Sequence, residues 1–182
     1  MDDDFSRLVS LACHDLRTPL ATVSGFAKTM LRLDELEPDK QARYLGLMDN
    51  SAEELASLLD LLSLAARIEG GRYDPVVREA DSLALAPEGA AGTGATVLVD
   101  PEPVESALAA FQRAASRHGG VEVAVAVAGE RVSFEPVTED AAPIVLGDDP
   151  RDLGAAVGVR LVRALGGELA LDGERLTVTL PS

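Results

Sequence analysis

Apolar residues recur along the first third of the chain at alternating spacings of four and three positions. The first stripe extends from about Asp3 to Leu33 and has the period of a coiled-coil-like seam, which predicts one long helix. The sequence DELEPD, with a proline and acidic turn residues, interrupts the pattern, and a second stripe follows from Leu45 to Ala66. The positions of the stripes are Phe5, Val9, Ala12, Leu16, Pro19, Val23, Phe26, Met30 and Leu33, and then Leu45, Met48, Ala52, Leu55, Leu59, Leu62 and Ala66.

Two long helices joined by a short turn predict an antiparallel helical hairpin. A two-helix unit rarely encloses a core of its own, because each apolar stripe needs more than one neighbouring helix to cover it. We therefore expect two chains to pair through residues 3–68 and to bury their stripes in a dimeric four-helix bundle. The hairpin thus predicts a homodimer.

The pattern changes after Gly70 and Gly71, which predict a boundary between a helical domain at residues 1–70 and a second domain at residues 71–182. Short alternating strands and helices then predict a small α/β sandwich, so the fold class is α + α/β. The elements expected are a weak strand near Leu83, a strand in ATVLVDP that leads into a helix cap at Asp100 and Pro101, a helix from Glu102 to Arg117, a hairpin around Gly129, a helix near Asp152 to Leu165, and a final hairpin turning at Asp172–Gly173.

Charge and composition narrow the possible partners. The 182 residues include 16 Lys and Arg against 31 Asp and Glu, a formal net charge of -15, which argues against nucleic acid or an anionic membrane as a partner. The single cysteine, Cys13, cannot form an internal disulfide, and the start of the chain lacks the features of a signal peptide. No segment reaches the about 20 uncharged apolar residues of a membrane span. We therefore expect a cytoplasmic protein.

The stretch LACHDLRTPL combines a histidine with an acid and a proline inside the first predicted helix. Because Val9 and Leu16 are seam positions, His14 lies farthest from the seam and is expected to face solvent. Asp15 can accept a hydrogen bond from Nδ1, which fixes the tautomer and leaves Nε2 free as a nucleophile. Pro19 cannot donate to the carbonyl of Asp15 and predicts a bend after the histidine. By themselves these residues fit either nucleophilic phosphoryl chemistry or an ordinary surface histidine.

The longer segment FSRLVSLACHDLRTPLATVSGF closely resembles the phospho-acceptor box of the sensor histidine kinases, in which His-Glu/Asp-Leu-Arg-Thr-Pro-Leu lies on the first helix of a dimeric bundle. The seven residues from His14 to Leu20 match. The resemblance implies that His14 carries the phosphoryl group, that Asp15 is its acid/base partner, and that Thr18 orients water when the aspartyl phosphate of a partner is hydrolysed. Arg17 either contacts phosphate or is a solvated charge.

The second domain resembles the catalytic domain of the same kinases in outline and departs from it at the nucleotide-binding positions. In the family, a helix with the pattern Leu-x-Asn-Leu-x-x-Asn-Ala supplies the asparagine that holds magnesium. Ala110 and Ala114 stand at the two asparagine positions here, and alanine has no oxygen to ligate a hard cation. The family's Asp-x-Gly-x-Gly motif has no counterpart, since no glycine lies between Gly129 and Gly147, and Asp140 lacks the glycine neighbours that make the adenine pocket.

The third nucleotide motif of the family, Gly-x-Gly-Leu before a phosphate-facing helix, is matched only in part. Gly154 fits the pattern, but Asp152 stands where the first glycine belongs. A carboxylate at a helix N-terminus competes with the anionic phosphates that such a terminus favours. His118, at the end of the preceding long helix, is expected to be a surface or C-terminal cap residue.

A dimeric histidine bundle beside a kinase-like domain without these motifs resembles the histidine phosphotransferases built on the kinase fold. The resemblance implies a two-component pseudokinase that exchanges a phosphoryl group between its histidine and response-regulator aspartates in a phosphorelay. Magnesium then belongs to the regulator, so we expect this chain to hold no metal or cofactor and to bind no ATP. The implied partners are a response-regulator receiver domain, a second copy of the chain and an upstream kinase.

Two other functions fit the same residues. One is an active histidine kinase whose divergent pocket still binds ATP. The other is a non-catalytic adaptor that docks response regulators or another kinase without chemistry. Transfer of phosphate to His14 separates the phosphotransfer protein from the adaptor, and ATP binding separates it from the kinase.

Overall fold

The computed structural model describes residues 2–33 and 37–182, with side chains from residue 5 onward. The Cα positions divide the chain into two compact units, Met1–Ser63 and Leu64–Ser182. The helices are α1 (Asp2–Arg32), α2 (Pro38–Glu69), α3 (Pro101–Gly119), α4 (Ala142–Val145) and α5 (Leu153–Ala164). The strands are β1 (Arg78–Asp81), β2 (Ala91–Gly94), β3 (Thr96–Val99), β4 (Ala124–Gly129), β5 (Arg131–Glu135), β6 (Glu168–Asp172) and β7 (Arg175–Thr179).

The first unit contains the two long helices that the apolar stripes predict. α1 continues without interruption over 31 residues, and Pro38 opens α2 at a position where the missing N–H of proline costs no helical hydrogen bond. The ring centroids of Phe26 on α1 and Tyr44 on α2 lie 4.9 Å apart, so the two helices pair as a hairpin. Residues 34–36 of the predicted turn lie outside the described residues.

The apolar stripe of α2 divides into two rows, each with a spacing of seven residues. One row is partly covered within the chain and consists of Met48, Leu55 and Leu62. The other row faces solvent and consists of Leu45, Ala52 and Leu59. A single hairpin therefore covers one row of α2 and leaves the other row in water.

The second unit contains a five-stranded sheet in the order β2-β4-β5-β7-β6, in which β2 and β4 are parallel and the other neighbours are antiparallel. Strands β1 and β3 form a separate antiparallel pair. Side chains alternate along the strands, so that Val125 and Val127 of β4 are buried while the alanine between them, Ala126, is exposed. The Phe111 ring on α3 meets the Phe134 ring on β5 edge-on at 6.2 Å and joins the helices to the sheet. The predicted fold class, a helical hairpin followed by a small α/β sandwich, is confirmed.

Helices α3 and α5 pack closely because small residues face each other between them. A Cβ atom added at Gly158 would lie 3.0 Å from Cζ of Phe111 and 3.2 Å from Cβ of Ala107. At the start of α5, a Cβ added at Gly154 would lie 2.9 Å from Cβ of Ala110. Side chains larger than glycine do not fit at these points without a shift of the neighbouring atoms.

Three elements of the second unit differ from the prediction. The strand expected near Leu83 is β1, which ends at Asp81, and the Leu83 N–H donates to Oδ1 of Asp81 at 2.7 Å in a turn. The strand therefore lies just before the expected position, because an Asp side chain that satisfies the backbone locally favours a turn over a strand at Leu83. β2 was not predicted, since its sequence AGTG has no apolar alternation, and the four-residue helix α4 is too short to show a helical period.

Candidate functional site

His14 lies on the exposed surface of α1. Its side chain is 78% exposed, and Nδ1 lies 3.1 Å from Oδ1 of Asp15, whose side chain is 32% exposed. An ionised carboxylate can only accept a hydrogen bond, so in the neutral ring Nδ1 carries the proton and Nε2 keeps its lone pair. The geometry therefore presents one ring nitrogen to solvent while the other is oriented by an acid.

The other predicted residues of this segment lie within one and a half turns of the histidine. Arg17 and Thr18 are exposed, and the Thr18 carbonyl accepts a hydrogen bond from Oγ1 of Thr22 at 3.2 Å. Pro19 is buried inside α1, where it has no N–H to donate to the carbonyl of Asp15. α1 remains helical through Pro19, and a bend at this residue stays a prediction.

Four of the five positions that correspond to the nucleotide site of the kinases lie around the start of α5 and on the facing part of α3. The fifth, Asp140, lies apart from them. A Cβ added at Gly154 would contact both Cβ of Ala110 and Oδ1 of Asp152, so these three residues meet at one point. Ala114 lies one turn further along α3 and is fully buried. Asp140 is exposed in the turn before α4, and its side chain makes no ion pair or hydrogen bond with any described residue.

Asp152 is the N-cap of α5. Its Oδ1 accepts a hydrogen bond from the Ala155 N–H at 3.0 Å, and its Oδ2 lies 3.5 Å from Nη1 of Arg117 and 3.9 Å from Nε2 of His118. The Asp152 side chain is only 11% exposed. Its carboxylate is thus surrounded by a helix N-terminus, a guanidinium and an imidazole. The charge of Asp152 already satisfies the terminus that would otherwise attract a phosphate.

The structure corrects the expectation for His118. Its side chain is only 23% exposed, and Nε2 is buried with no hydrogen-bond partner among the described residues. His118 is therefore not a surface residue, although it lies in the last turn of α3, because the antiparallel packing of α3 on α5 turns its ring toward Asp152. The sequence carried a usable signal: two basic residues end α3, and the acid that opens α5 is the natural charge partner for them.

The side chains of Ala110 and Ala114 carry no atom that can ligate a metal ion. They present methyl groups at the positions where the kinase pattern has asparagines, and Ala110 packs against the first turn of α5. Across residues 2–33 and 37–182, no three His, Cys, Asp or Glu side chains lie close enough to hold a metal ion.

Comparison with known proteins identifies the hairpin. Residues 6–71 match the family model of the His Kinase A (phospho-acceptor) domain. The hairpin is therefore similar to the phospho-acceptor domain of histidine kinases over nearly its whole length. His14 and the exposed surface around it lie inside the matched region, and the resemblance to sensor histidine kinases seen in the sequence is confirmed.

Curated relatives match the same region. The chain is 32% identical over 75 residues to an uncharacterised sensor-like histidine kinase of Rhizobium meliloti, covering 40% of this chain and 14% of that protein. It is 38% identical over 64 residues to the sensor protein kinase PmrB of Pseudomonas aeruginosa, covering 35% and 13%. For the probable sensor histidine kinase TcrY of Mycobacterium tuberculosis the values are 32% over 66 residues, covering 36% and 14%. The chain therefore spans about one seventh of the length of these relatives.

Solved structures extend the similarity of fold to the second unit. The histidine kinase AdeS of Acinetobacter baumannii matches with a TM-score of 0.62 at 19% identity, covering 92% of this chain and 97% of that chain. Full-length ShkA, solved in complex with AMPPNP, matches with a TM-score of 0.55 at 22% identity, covering 97% of this chain and 45% of that chain. The chain thus shares the fold of these histidine kinases over both the hairpin and the α/β unit. None of its described helices is both long and apolar enough to cross a bilayer.

Proposed function

We propose that this protein is a two-component histidine phosphotransfer protein, in which His14 exchanges a phosphoryl group with an aspartate of a response-regulator receiver domain. The observation that carries the proposal is the hydrogen bond between Nδ1 of His14 and Asp15 on an otherwise exposed ring. It combines an accessible nucleophilic nitrogen with an acid that orients it, and both lie within the matched phospho-acceptor domain.

The chemistry is a transfer in line between two protein side chains. Nε2 of His14 attacks the phosphorus of the regulator's aspartyl phosphate, the bond from phosphorus to the aspartate oxygen breaks, and the aspartate leaves as a carboxylate. The ring then carries a positive charge, which the Asp15 carboxylate at Nδ1 stabilises. The reverse reaction returns the group to the regulator. The magnesium that such a transfer uses belongs to the regulator's acidic pocket.

The same proposal assigns no ATP-dependent autokinase activity to the α/β unit. Ala110 and Ala114 offer no oxygen for a metal, and the Asp152 carboxylate occupies the N-terminus of α5 with Arg117 and His118 beside it. Each feature opposes a different part of a magnesium–nucleotide complex.

A homodimer is the assembly that the proposal requires of the hairpin. The exposed row of α2 includes Leu45 and Leu59, which are 48% and 54% exposed in the single chain, and Leu20 on α1 is 56% exposed. A groove of about 470 Å³ lies between α1 and α2 and is lined by Val23, Leu45, Gly46, Met48, Asp49 and Ala52. A second hairpin with the same apolar rows would cover both features.

The direct test follows phosphate from a labelled regulator to His14. Receiver domains charged with radiolabelled acetyl phosphate are mixed with wild type and with His14→Ala, and the label on each protein is counted over time. Wild type is expected to acquire label and His14→Ala to acquire none. Because the ring is exposed, the variant should lose no more than about 0.5 kcal/mol of stability. His118→Gln, which changes the other histidine of the chain, is the matched control and should accept label normally.

Three results would overturn parts of this proposal. Label on His14→Ala at the normal rate would remove the assigned role of the histidine. No label on wild type despite tight binding of the regulator would favour the adaptor. Labelling of wild type from ATP, with micromolar binding of Mg-ATP by calorimetry, would favour the active kinase.

A further inference from the structure

The chain between α2 and β1 contains a pair of glycines at a sharp change of direction. α2 ends at Glu69, and the Arg72 N–H donates to the Arg67 carbonyl at 2.8 Å in a helix-terminating turn. Gly71 adopts a φ of +61°, a conformation that side chains other than glycine rarely adopt, and a Cβ added there meets no atom within 4 Å. A Cβ added at Gly70 would lie 3.0 Å from the Ala66 carbonyl oxygen, so the open space is at Gly71, and it makes Gly71 the point of the glycine pair at which the backbone can pivot.

An ion pair holds the chain immediately before the glycines. Oε1 of Glu69, the last residue of α2, lies 2.8 Å from Nε of Arg160 on α5. Arg160 is only 11% exposed and also donates through Nη1 to the Ala156 carbonyl at 2.9 Å, so its guanidinium is fixed on α5 before it meets Glu69. A well-positioned guanidinium loses little freedom when it binds a carboxylate.

A second attachment holds the chain immediately after the glycines. The Tyr73 hydroxyl donates to Oδ2 of Asp100 at 3.0 Å, and the Val76 N–H donates to the same oxygen at 3.3 Å. The Arg67 guanidinium lies 5.8 Å from the centre of the Tyr73 ring, which links the end of α2 to the segment beyond the glycines.

Asp100 is available for this role because α3 does not need it as a cap. Asp100 occupies the N-cap position of α3 but makes no side-chain cap hydrogen bond. Pro101 and Pro103, at the first and third helical positions, have no N–H, so two of the first three donors that a cap would serve are absent. The carboxylate turns instead to Tyr73 and Val76.

We propose that these contacts form a releasable brace, made of Glu69, Tyr73, Arg160 and Asp100, which holds the Gly70–Gly71 pivot in one conformation. The brace consists of polar contacts, and the segment that it holds covers little apolar surface of its own, since Val76 and Val77 remain 63% and 48% exposed. Opening it breaks a few hydrogen bonds without opening the α/β core, which places it at the low-stability end of the unit. The brace determines whether residues 70–77 behave as a fixed connection or as a hinge, and this inference does not depend on the proposed phosphotransfer.

Hydrogen exchange of the whole chain, followed by mass spectrometry, tests the brace. Tyr73→Phe removes only the hydroxyl, and Glu69→Ala removes only the ion pair. The double variant is expected to exchange amides of residues 70–77 about thirtyfold faster than wild type, because two bonds worth about 2 kcal/mol together are lost. The amides of β4 and β5 should exchange at the wild-type rate. Trypsin should also cleave after Arg72 faster in the double variant.

The matched control is Glu135→Ala, which removes an ion pair of similar length to Arg175 on the exposed sheet of the same unit. It should leave exchange at residues 70–77 unchanged. If the double variant exchanged the amides of residues 70–77 at the wild-type rate, the proposed brace would be overturned. Equal acceleration of residues 70–77 and of β4–β5 would also overturn it, because the contacts would then be part of the global fold and not a local lock.

Discussion

The two units of this protein treat their apolar side chains differently. The α/β unit buries Phe111, Phe134 and the inward residues of its strands within one chain. The hairpin leaves Leu45 and Leu59 largely in water although both lie in its apolar stripe. A sheet with helices on one face encloses a core alone, whereas two helices cannot surround their own seam. The α/β unit therefore covers its own core, while the hairpin leaves part of its apolar stripe exposed, which the proposed homodimer would cover.

The largest effect is expected from charges placed in the apolar stripe of the hairpin. Leu55→Asp with Leu59→Asp should raise the dissociation constant of the homodimer about 100-fold or more, since an uncompensated buried charge costs about 3 kcal/mol or more. Sedimentation equilibrium measures the change, and the melting of the α/β unit should stay as in wild type. Ser57→Asp, on the exposed surface of the same helix, is the control and should remain dimeric. A wild-type protein that is monomeric at micromolar concentration would contradict the proposed homodimer.

A smaller effect is expected when an asparagine, the residue of the kinase pattern, is placed at position 110 of the α/β unit. Ala110→Asn restores the amide that the kinase pattern carries, but Ala110 is 4% exposed and packs against Gly154. Forcing the larger side chain between α3 and α5 should cost about 1–3 kcal/mol of unfolding free energy and should create no binding of Mg-ATP. Urea unfolding and calorimetry check the two halves of this prediction. Ser106→Asn on the exposed side of α3 is the control, and micromolar Mg-ATP binding by Ala110→Asn would show that the site lacks only its ligand.

The interpretation of the hairpin from sequence succeeded because one physical rule governs it. The spacing of Val9 and Leu16 fixes which side of α1 faces a neighbouring helix, and this predicts an exposed His14 with Asp15 beside its ring. The hydrogen bond at 3.1 Å has the partners that the sequence suggested. Local helical geometry is sufficient for such a prediction, since both residues belong to the same turn.

The sequence was less informative where contacts join distant segments. His118 looked like a helix-end residue, and only the packing of α3 on α5 turns its ring toward Asp152. Asp100 was expected as a cap, and its carboxylate binds Tyr73, which lies 27 residues earlier. Neither pairing has a local signature in the sequence. Periodicity predicts which face of a helix or strand is buried, but it does not predict which polar group of a distant segment packs against that face.

The smallest effect concerns pH and the brace of the α/β unit. Burial raises the pKa of Tyr73 above its ordinary value of 10.0, as do the hydrogen bond to Asp100 and the negative charge of that carboxylate, while Arg67 lowers it. The folded tyrosine therefore keeps its proton at a pH where the unfolded one loses it. Its stabilising contribution is complete below pH 10.0 and declines as the pH rises above that value.

Urea unfolding from pH 8 to pH 11 measures this decline. The difference in unfolding free energy between wild type and Tyr73→Phe should shrink above about pH 10, since the variant has no phenol to titrate at this position. Tyr44→Phe in the hairpin is the matched control for the loss of a phenol elsewhere in the chain. A constant difference between wild type and Tyr73→Phe over the whole range would mean that the Tyr73 hydroxyl does not bind Asp100 in solution.

The two prolines at the start of α3 have a consequence for variation at Asp100. Ordinarily an aspartate before a helix tolerates serine, threonine or asparagine, because all of them cap well. Here Pro101 and Pro103 have removed most of what a cap serves, and the carboxylate is held by Tyr73 and Val76 instead. Replacing Asp100 by serine or threonine, which cap helices well, would leave α3 intact. It would remove the carboxylate that binds Tyr73 and Val76 in the segment after α2. Tolerance at this position is thus set by a partner in another part of the fold, and an exchange that is conservative for the helix is not conservative for the protein.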